Sequence, residues 1–385
     1  MQKVAIVSYG VLPYTSADDI GMWNDEATFQ VTREALNKVN LSADQVDTAI
    51  ISTMDGLDGI TISNSMLSPA AGGYKKETIR IENGGIHCAI SAVAGILSGG
   101  ADIVVVASAD SIQNNLNLIS NTTQDSVFRG PLGFNQEQSY GLLATEYLKN
   151  SGISLQDFAQ VAEKNYRNGA RNPWAHRKDG VDVQAVNSSE TIAWPLTDSQ
   201  VAKPSYGAAA LVFASEETAK KLTNDPVWVT GVGAGTNPYF GSWEELSSNV
   251  AMTKAAQSAY EKAGINIPAE ELDFVEVSNP FSAYELKSYE NLGLCEEGKA
   301  GDLLRSGATD VQGSIPVNVS GGSLATNGLN SAGVFRIVQA LQILNGELGG
   351  NELSSATKGL VHDCDMNIGA IGGDSHAVMI LEKGA

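Results

Sequence analysis

Two distant stretches of this 385-residue chain read alike, and that repetition constrains the fold more than any other feature. TREALNKVNLSADQVDTAIIST (32–53) and AQSAYEKAGINIPAEELDFVEVSN (256–279) each spell a helix, a short turn, a second acidic turn, then Asp and a buried strand. Each half also opens a helix on a glycine pair, Gly84-Gly85 and Gly321-Gly322. A repeated helix–strand unit predicts a duplicated α/β fold. The periodicity predicts strands at VAIVSYG, DTAIIST, TIRIEN, DIVVVASAD and ALVFAS, then at VWVTGVGAG, DFVEVSN, SIPVNVS, GLVHDC and AVMILE. Helices are expected over 26–39, 86–97, 252–263 and 329–344. This alternation predicts α/β layers with mostly parallel sheets. The halves divide at 1–220 and 221–385, and an irregular insertion at about 110–200 has the character of a segment that shapes a substrate site or an oligomer contact.

Composition narrows the function. A net charge of −20 argues against nucleic acid and anionic membrane surfaces, but leaves room for a phosphorylated ligand in a local basic pocket. No apolar run reaches membrane-spanning length, and MQKVAIVSYG reads as a strand rather than a signal peptide. Three cysteines, Cys88, Cys295 and Cys364, form an odd set without repeated spacing. That argues against a disulfide framework or a structural zinc site and points to a reducing cytoplasm.

Several stretches resemble one family. EVSNPFSAYELKSYENLGLCEEGKAGDLLRSGATDVQGSIPVNVSGG (276–322) is similar to the C-terminal half of sterol-carrier-protein-type thiolases. RNGARNPWAHRK (167–178) and PLTDSQVAKPSYGAAALVFAS (195–215) resemble that family's Asn-Pro-aromatic-Ala-His segment and its end-of-first-half motif. The resemblance implies a five-layer α/β/α/β/α thiolase fold, a homodimer, and acyl-CoA substrates. It further implies Claisen-type making or breaking of a carbon–carbon bond.

Thiolases use a Cys nucleophile, a His that activates it, a second Cys for the α-proton, and a His or Asn for an oxyanion. Here the family's Gly-His-Pro loop falls on Asn327, Gly328 and Leu329, and its His-Asp-x-Phe motif on Ser278, Asn279, Pro280 and Phe281. The C-terminal glycine loop, 369–376, holds no Cys. One register puts Glu82 in the nucleophile slot, another Gly85, and only a gapped one puts Cys88 there.

The candidates follow from those slots. His376 and His362 are candidate general bases, since imidazole titrates near neutrality. Cys88 is a nucleophile or a core residue, and Glu82 a tuned acid or base or a helix cap. Asn279 and Ser278 are candidates to hold a water or an oxyanion. Tyr239 and Tyr206 suit the tyrosine proton transfer attributed to Cys-less thiolase-fold aldolases. Adjacent helical residues diverge by about 100°, so His87 and Cys88 do not face each other as a dyad. His176 reads as structural or dimer-forming. Gly321, Gly322, Asn318, Gly372 and Gly373 are candidates for ligand binding by backbone N–H groups. Arg129, with Arg167, Arg171 and Lys203, is a candidate for the CoA phosphates. The spacing of His362, Cys364 and Asp365 matches no standard metal site. No tightly bound cofactor is expected, coenzyme A thioester being the substrate.

Three functions remain open at this stage. The first is a carbon–carbon bond enzyme of Claisen or retro-aldol type with a non-standard site. The second is an ordinary thiolase using Cys88. The third is a non-catalytic subunit of a heteromeric acyl-CoA complex, and a small OB-fold/zinc-ribbon partner is expected by family analogy.

Overall fold

The computed structural model describes residues 3–16, 21–82, 84–110, 119–120, 127, 130–238, 249–353, 355–364 and 374–384. The first half supplies β1 (Val4–Thr15), β2 (Thr48–Ser52), β3 (Glu77–Ile81), β4 (Ile103–Ala109), the small hairpin β5 (Thr191–Ala193) and β6 (Leu196–Thr197), and β7 (Tyr206–Ser215). The second half supplies β8 (Val227–Thr236), β9 (Phe274–Val277), β10 (Lys358–Cys364) and β11 (Ser375–Lys383). Outside the hairpin the strands lie in the order β3-β2-β4-β7-β1-β8-β11-β10-β9.

That order is a duplication read outward from a narrow seam. β1 and β8 meet only at Ala5↔Trp228 and Ile6↔Val227. Away from the seam each half repeats one pattern: its first strand, its last strand antiparallel to it, a third antiparallel again, then a fourth parallel to the third. Each half-sheet is therefore mixed rather than mostly parallel, because the last strand of each half inserts between the first and the third. The first half adds β3 parallel to β2. In the second half SIPVNVS does not form the expected strand, and only Val317 makes a single parallel bridge to Val275. Asn318, Gly321 and Gly322 follow with φ of 52°, 100° and 60°, left-handed values that turn the chain away from the sheet.

Two helices fill the centre, Gly85–Leu97 and Ala332–Asn345. The second is buried on every side from Ala332 to Leu344, as an apolar helix enclosed between layers must be. Its start lies beyond the expected Leu329, because Asn330 and Ser331 are held as a loop by buried carboxylates described below. Both helices share one core with Ile50, Val104 and Leu211 of the first half-sheet and Val361, Met379 and Leu381 of the second. The helix Asn24–Lys38 covers the opposite face of the first half-sheet. The helices Val250–Ala263, Leu155–Arg171 and Ser282–Asn291 cover the opposite face of the second. The result is the expected five layers. Alternate glycines in β8 make the last of these contacts close: a Cβ on Gly233 would lie 1.9 Å from the Ala255 carbonyl oxygen, and one on Gly231 2.2 Å from that of Ala259.

Candidate active site

The two central helices begin at the same place. A Cβ on Gly85 would lie 2.3 Å from the Val334 nitrogen, so only glycine lets the helix starts meet. A Cβ on Gly333 would lie 2.0 Å from Asp363 Oδ2 and 2.7 Å from the Ile86 nitrogen. The first-turn N–H groups of a helix have no partner within it and carry the positive end of the macrodipole. The junction therefore favours negative charge, and Asp363, at the end of β10, reaches it. Its Oδ1 accepts the Ser278 hydroxyl at 2.8 Å. Burial pushes the Asp363 carboxyl up to about 6, against the lowering effects of Ser278 and Arg336.

His87 stands in the first turn of the Gly85–Leu97 helix, its Nε2 3.1 Å from Ser375 Oγ. Burial, and then the neighbouring His376, lower its pKa, so the ring is neutral at pH 7 and free to take a proton. Cys88, the next residue, turns into the core. Burial drives its thiol far above the ordinary value, which withholds the thiolate that nucleophilic attack needs. Glu82 points into solvent and faces Arg80 at 3.6 Å, with 60% of its side chain exposed, which is not the enclosed environment of a tuned acid.

His362 and His376 come together, but on the other face of the second half-sheet from Asp363. His362 Nε2 lies 3.1 Å from His376 Nδ1, and His376 Nε2 lies 2.7 Å from Asp374 Oδ2. Both rings are fully buried. Burial, with His376 and Arg336, holds His362 well below its ordinary pKa.

Ser278, Asn279 and Asn318 are also placed close together. Asn279 Oδ1 accepts the Ser323 N–H at 2.6 Å, and its Nδ2 donates to Glu285 at 2.8 Å. Asn318 Nδ2 donates to the same Glu285 oxygen at 2.8 Å, and its Oδ1 accepts the Val277 N–H. Glu285 in turn pairs with Lys164 at 2.6 Å. These two asparagines thus shape the 318–323 turn through a buried ion pair. Gly322 is required there, since a Cβ would lie 2.5 Å from Asn279 Oδ1 and 2.7 Å from Asn318 Nδ2. Gly321 packs against Gly169 of the insertion.

The loop matching the family's Gly-His-Pro stretch is held by two buried acids that sequence reasoning missed. Asp110 Oδ1 accepts the Ser331 N–H at 3.1 Å, and Oδ2 accepts its hydroxyl. Tyr14 OH shares a hydrogen with the same Ser331 oxygen. Asp58 accepts from Asn330 Nδ2 at 3.0 Å and Asn24 Nδ2 at 2.9 Å. Among the described residues no ion pair offsets the burial of Asp110, which pushes its carboxyl up to about 7. The available signal for Asp110 was its place at the end of the buried strand DIVVVASAD, where a carboxylate is costly unless it has work to do.

The basic candidates divide. Arg167 pairs with Glu163 and Asp310, and Lys203 with Asp198. The backbone of His176 and Arg177 docks on Thr326 and Ala325, consistent with a structural segment. Tyr206 is buried in β7. Tyr239, Arg129, Gly372, Gly373 and Asp365 lie outside the described residues.

Comparison with known proteins agrees with this architecture. Residues 234–383 match the family described as "Thiolase C-terminal domain-like". The chain is 28% identical over 298 residues to the acetyl-CoA acetyltransferase of Methanothermobacter thermautotrophicus, covering 76% of each chain. It is 32% identical over 242 residues to sterol carrier protein 2 of Oryctolagus cuniculus, spanning 61% of this chain and 44% of that one. Among solved structures, the "Ltp2-ChsH2(DUF35) aldolase" superposes with a TM-score of 0.83 at 21% identity, covering 99% of this chain and 97% of that one. Human mitochondrial 3-ketoacyl-CoA thiolase superposes with a TM-score of 0.73 at 16% identity, covering 100% and 99%. The fold is the thiolase fold, and its second half carries the match to the thiolase C-terminal domain-like family.

Proposed function

We propose that this protein breaks or makes a carbon–carbon bond next to an acyl-CoA thioester by proton transfer, as in retro-aldol cleavage of a β-hydroxyacyl-CoA, without an acyl-enzyme. One observation carries the reading: at the start of the central helix a neutral imidazole, His87, faces the junction through Ser375, while the neighbouring thiol of Cys88 is turned into the core. Retro-aldol cleavage needs a base for the β-hydroxyl, a site for the enolate oxygen and an acid to return a proton to carbon. In this reading His87 is the base, the N–H groups of the two helix starts hold the oxyanion, and Asp363 with Ser278 handles the second proton. The similarity to a solved aldolase assembly supports the same chemistry.

The same similarity supports a heteromeric assembly with a small DUF35-type partner, the class expected to carry an OB fold and a zinc ribbon. A homodimer is supported by β3, the outermost strand of the sheet among the described residues, where Ile79 is exposed, as is Tyr74 shortly before it. A reducing, cytoplasmic setting fits three unbridged cysteines.

The test is intact-protein mass spectrometry after incubation with acetyl-CoA, acetoacetyl-CoA and a β-hydroxyacyl-CoA panel, read alongside product formation in His87→Asn and Cys88→Ser variants. Cleavage of a β-hydroxyacyl-CoA without a protein adduct, kept in Cys88→Ser and lost in His87→Asn, is the expected result. A stable acyl adduct that disappears in Cys88→Ser would show an ordinary thiolase route and end this reading.

A further inference from the structure

Behind the junction runs a chain of buried polar groups that the proposed chemistry does not use. It starts at His362, passes to His376 and Asp374, and continues from Asp374 Oδ1 to Asn237 Nδ2 at 3.0 Å and on to Asn249 Oδ1 at 3.1 Å. The far end is fixed to the backbone: Asn237 Oδ1 accepts the Ala251 N–H at 3.1 Å, and Asn249 Oδ1 the Met252 N–H at 3.3 Å. The other end makes no such bond. His362 Nδ1 is buried and has no hydrogen-bond partner among the described residues.

The hydrogen positions in this chain are constrained by its geometry. His376 Nε2 faces a carboxylate at 2.7 Å, so it carries a hydrogen. If His376 is neutral, its Nδ1 is bare and accepts from Nε2–H of His362, which leaves His362 Nδ1 bare. If His376 is an imidazolium, its Nδ1–H donates to His362 Nε2, and the hydrogen of His362 sits on Nδ1. The two states differ by one proton and by a tautomer switch in His362.

We propose that His362, His376 and Asp374 form a one-proton relay. Uptake of one proton from solution by the pair leaves His376 with hydrogens on both nitrogens, its charge beside Asp374, and leaves the single hydrogen of His362 on Nδ1 instead of Nε2. This deepens the proposed chemistry and rests on it for its purpose: a reaction that lifts a proton from a hydroxyl and later returns one to carbon benefits from a place to hold one. The relay adjoins the site through the backbone. The Ser278 N–H donates to the His362 carbonyl, and Ser375, which bonds His87, lies between Asp374 and His376. The groups that bear on the stored charge are Asp374 on its own strand, His362 and Asp363 on β10, His87 and Arg336 from the central helices, and Tyr284 near Asp374.

The chain holds four histidines, so a long-range nitrogen–proton NMR spectrum of histidine-labelled full-length protein reports each ring without substrate. Between pH 9 and 5 the expected result is one concerted change: His376 becomes doubly protonated while the hydrogen of His362 moves from Nε2 to Nδ1. In Asp374→Asn the midpoint of that change falls by at least about one pH unit, a tenfold loss of proton affinity. A His362 tautomer that never changes, rings that titrate independently, or a midpoint that Asp374→Asn leaves in place each overturns the relay. If Asp374→Asn does not fold, the wild-type titration decides alone. Because no substrate is present, a protein that shows the switch but cleaves no acyl-CoA would refute the proposed function and leave the relay standing.

Discussion

Asp110→Asn should stabilise this protein above neutral pH and do almost nothing in mild acid. The folded carboxyl sits near 7, raised first by burial and further by Asp58, against an ordinary 3.8. Below the ordinary value both the folded and unfolded chains hold the proton, and the residue contributes nothing to pH dependence. As pH rises toward 7 the unfolded chain releases it and the folded chain does not, so folding is increasingly penalised; above 7 the penalty is constant. Roughly three pH units at about 1.4 kcal/mol each put that penalty at about 4 kcal/mol at pH 8. Asparagine removes it, and its carbonyl still accepts the Ser331 N–H. The Ser331 hydroxyl loses its acceptor, which costs about 1 kcal/mol. The net gain at pH 8 is then about 3 kcal/mol, or roughly 4 °C in Tm for a chain of this length. At pH 5 the two proteins should differ by less than about 1 kcal/mol. Scanning calorimetry of both proteins from pH 5 to 8.5 makes the comparison, and taking the difference removes the contributions of Asp363 and His87. A Tm difference that stays constant across this range would refute the assignment of a near-neutral carboxyl at Asp110.

Other perturbations follow from the same structure. Glu285→Gln leaves the Lys164 ammonium buried without its counter-charge and should cost about 3–5 kcal/mol, read as a fall in Tm with loss of order at the 318–323 turn. Gly85→Ala drives a methyl against the Val334 nitrogen at 2.3 Å, so the central helix starts must separate; the variant should lose several degrees in Tm and any acyl-CoA protection against unfolding, whereas Gly95→Ala, where a Cβ meets nothing within 4 Å, should be neutral or slightly stabilising. Of the three thiols only Cys295 is partly exposed, so an aromatic disulfide reagent at pH 8 should modify it first, with Cys88 and Cys364 reacting only on unfolding.

The architecture was legible because it is written twice. The pair 32–53 and 256–279 became the same helix, turn and strand in each half, with β2 at Thr48–Ser52 and β9 at Phe274–Val277. Buried strands also announced themselves by apolar runs. Direction did not: nothing in ALVFAS or AVMILE says that the strand runs antiparallel to both neighbours, because an interior strand buried on both faces has no alternation to read. SIPVNVS shows the opposite failure. Its apolar residues sit in strand rhythm, but the left-handed Asn318, Gly321 and Gly322 that follow serve the turn, and only Val317 reaches the sheet.

The candidate site was legible as a set of neighbouring segments and less so as chemistry. The family's slots pointed to the helix start at Gly85, the segment at Ser278 and the strand pair ending at Cys364 and beginning at Ser375, and the fold brings these together. Which face each side chain takes is decided by parity. Along β10, His362 and Cys364 share one face and Asp363 takes the other, so a reading that favoured His362 passed over the carboxyl that meets the helix junction. The first turn of the central helix repeats the lesson: the roughly 100° between His87 and Cys88 that denied them a dyad is also what sends the thiol into the core and the imidazole toward Ser375. Residue type nominated Cys88, but the helical phase turns its thiol into the core and the His87 imidazole toward Ser375, the arrangement from which the proposed proton-transfer chemistry is argued.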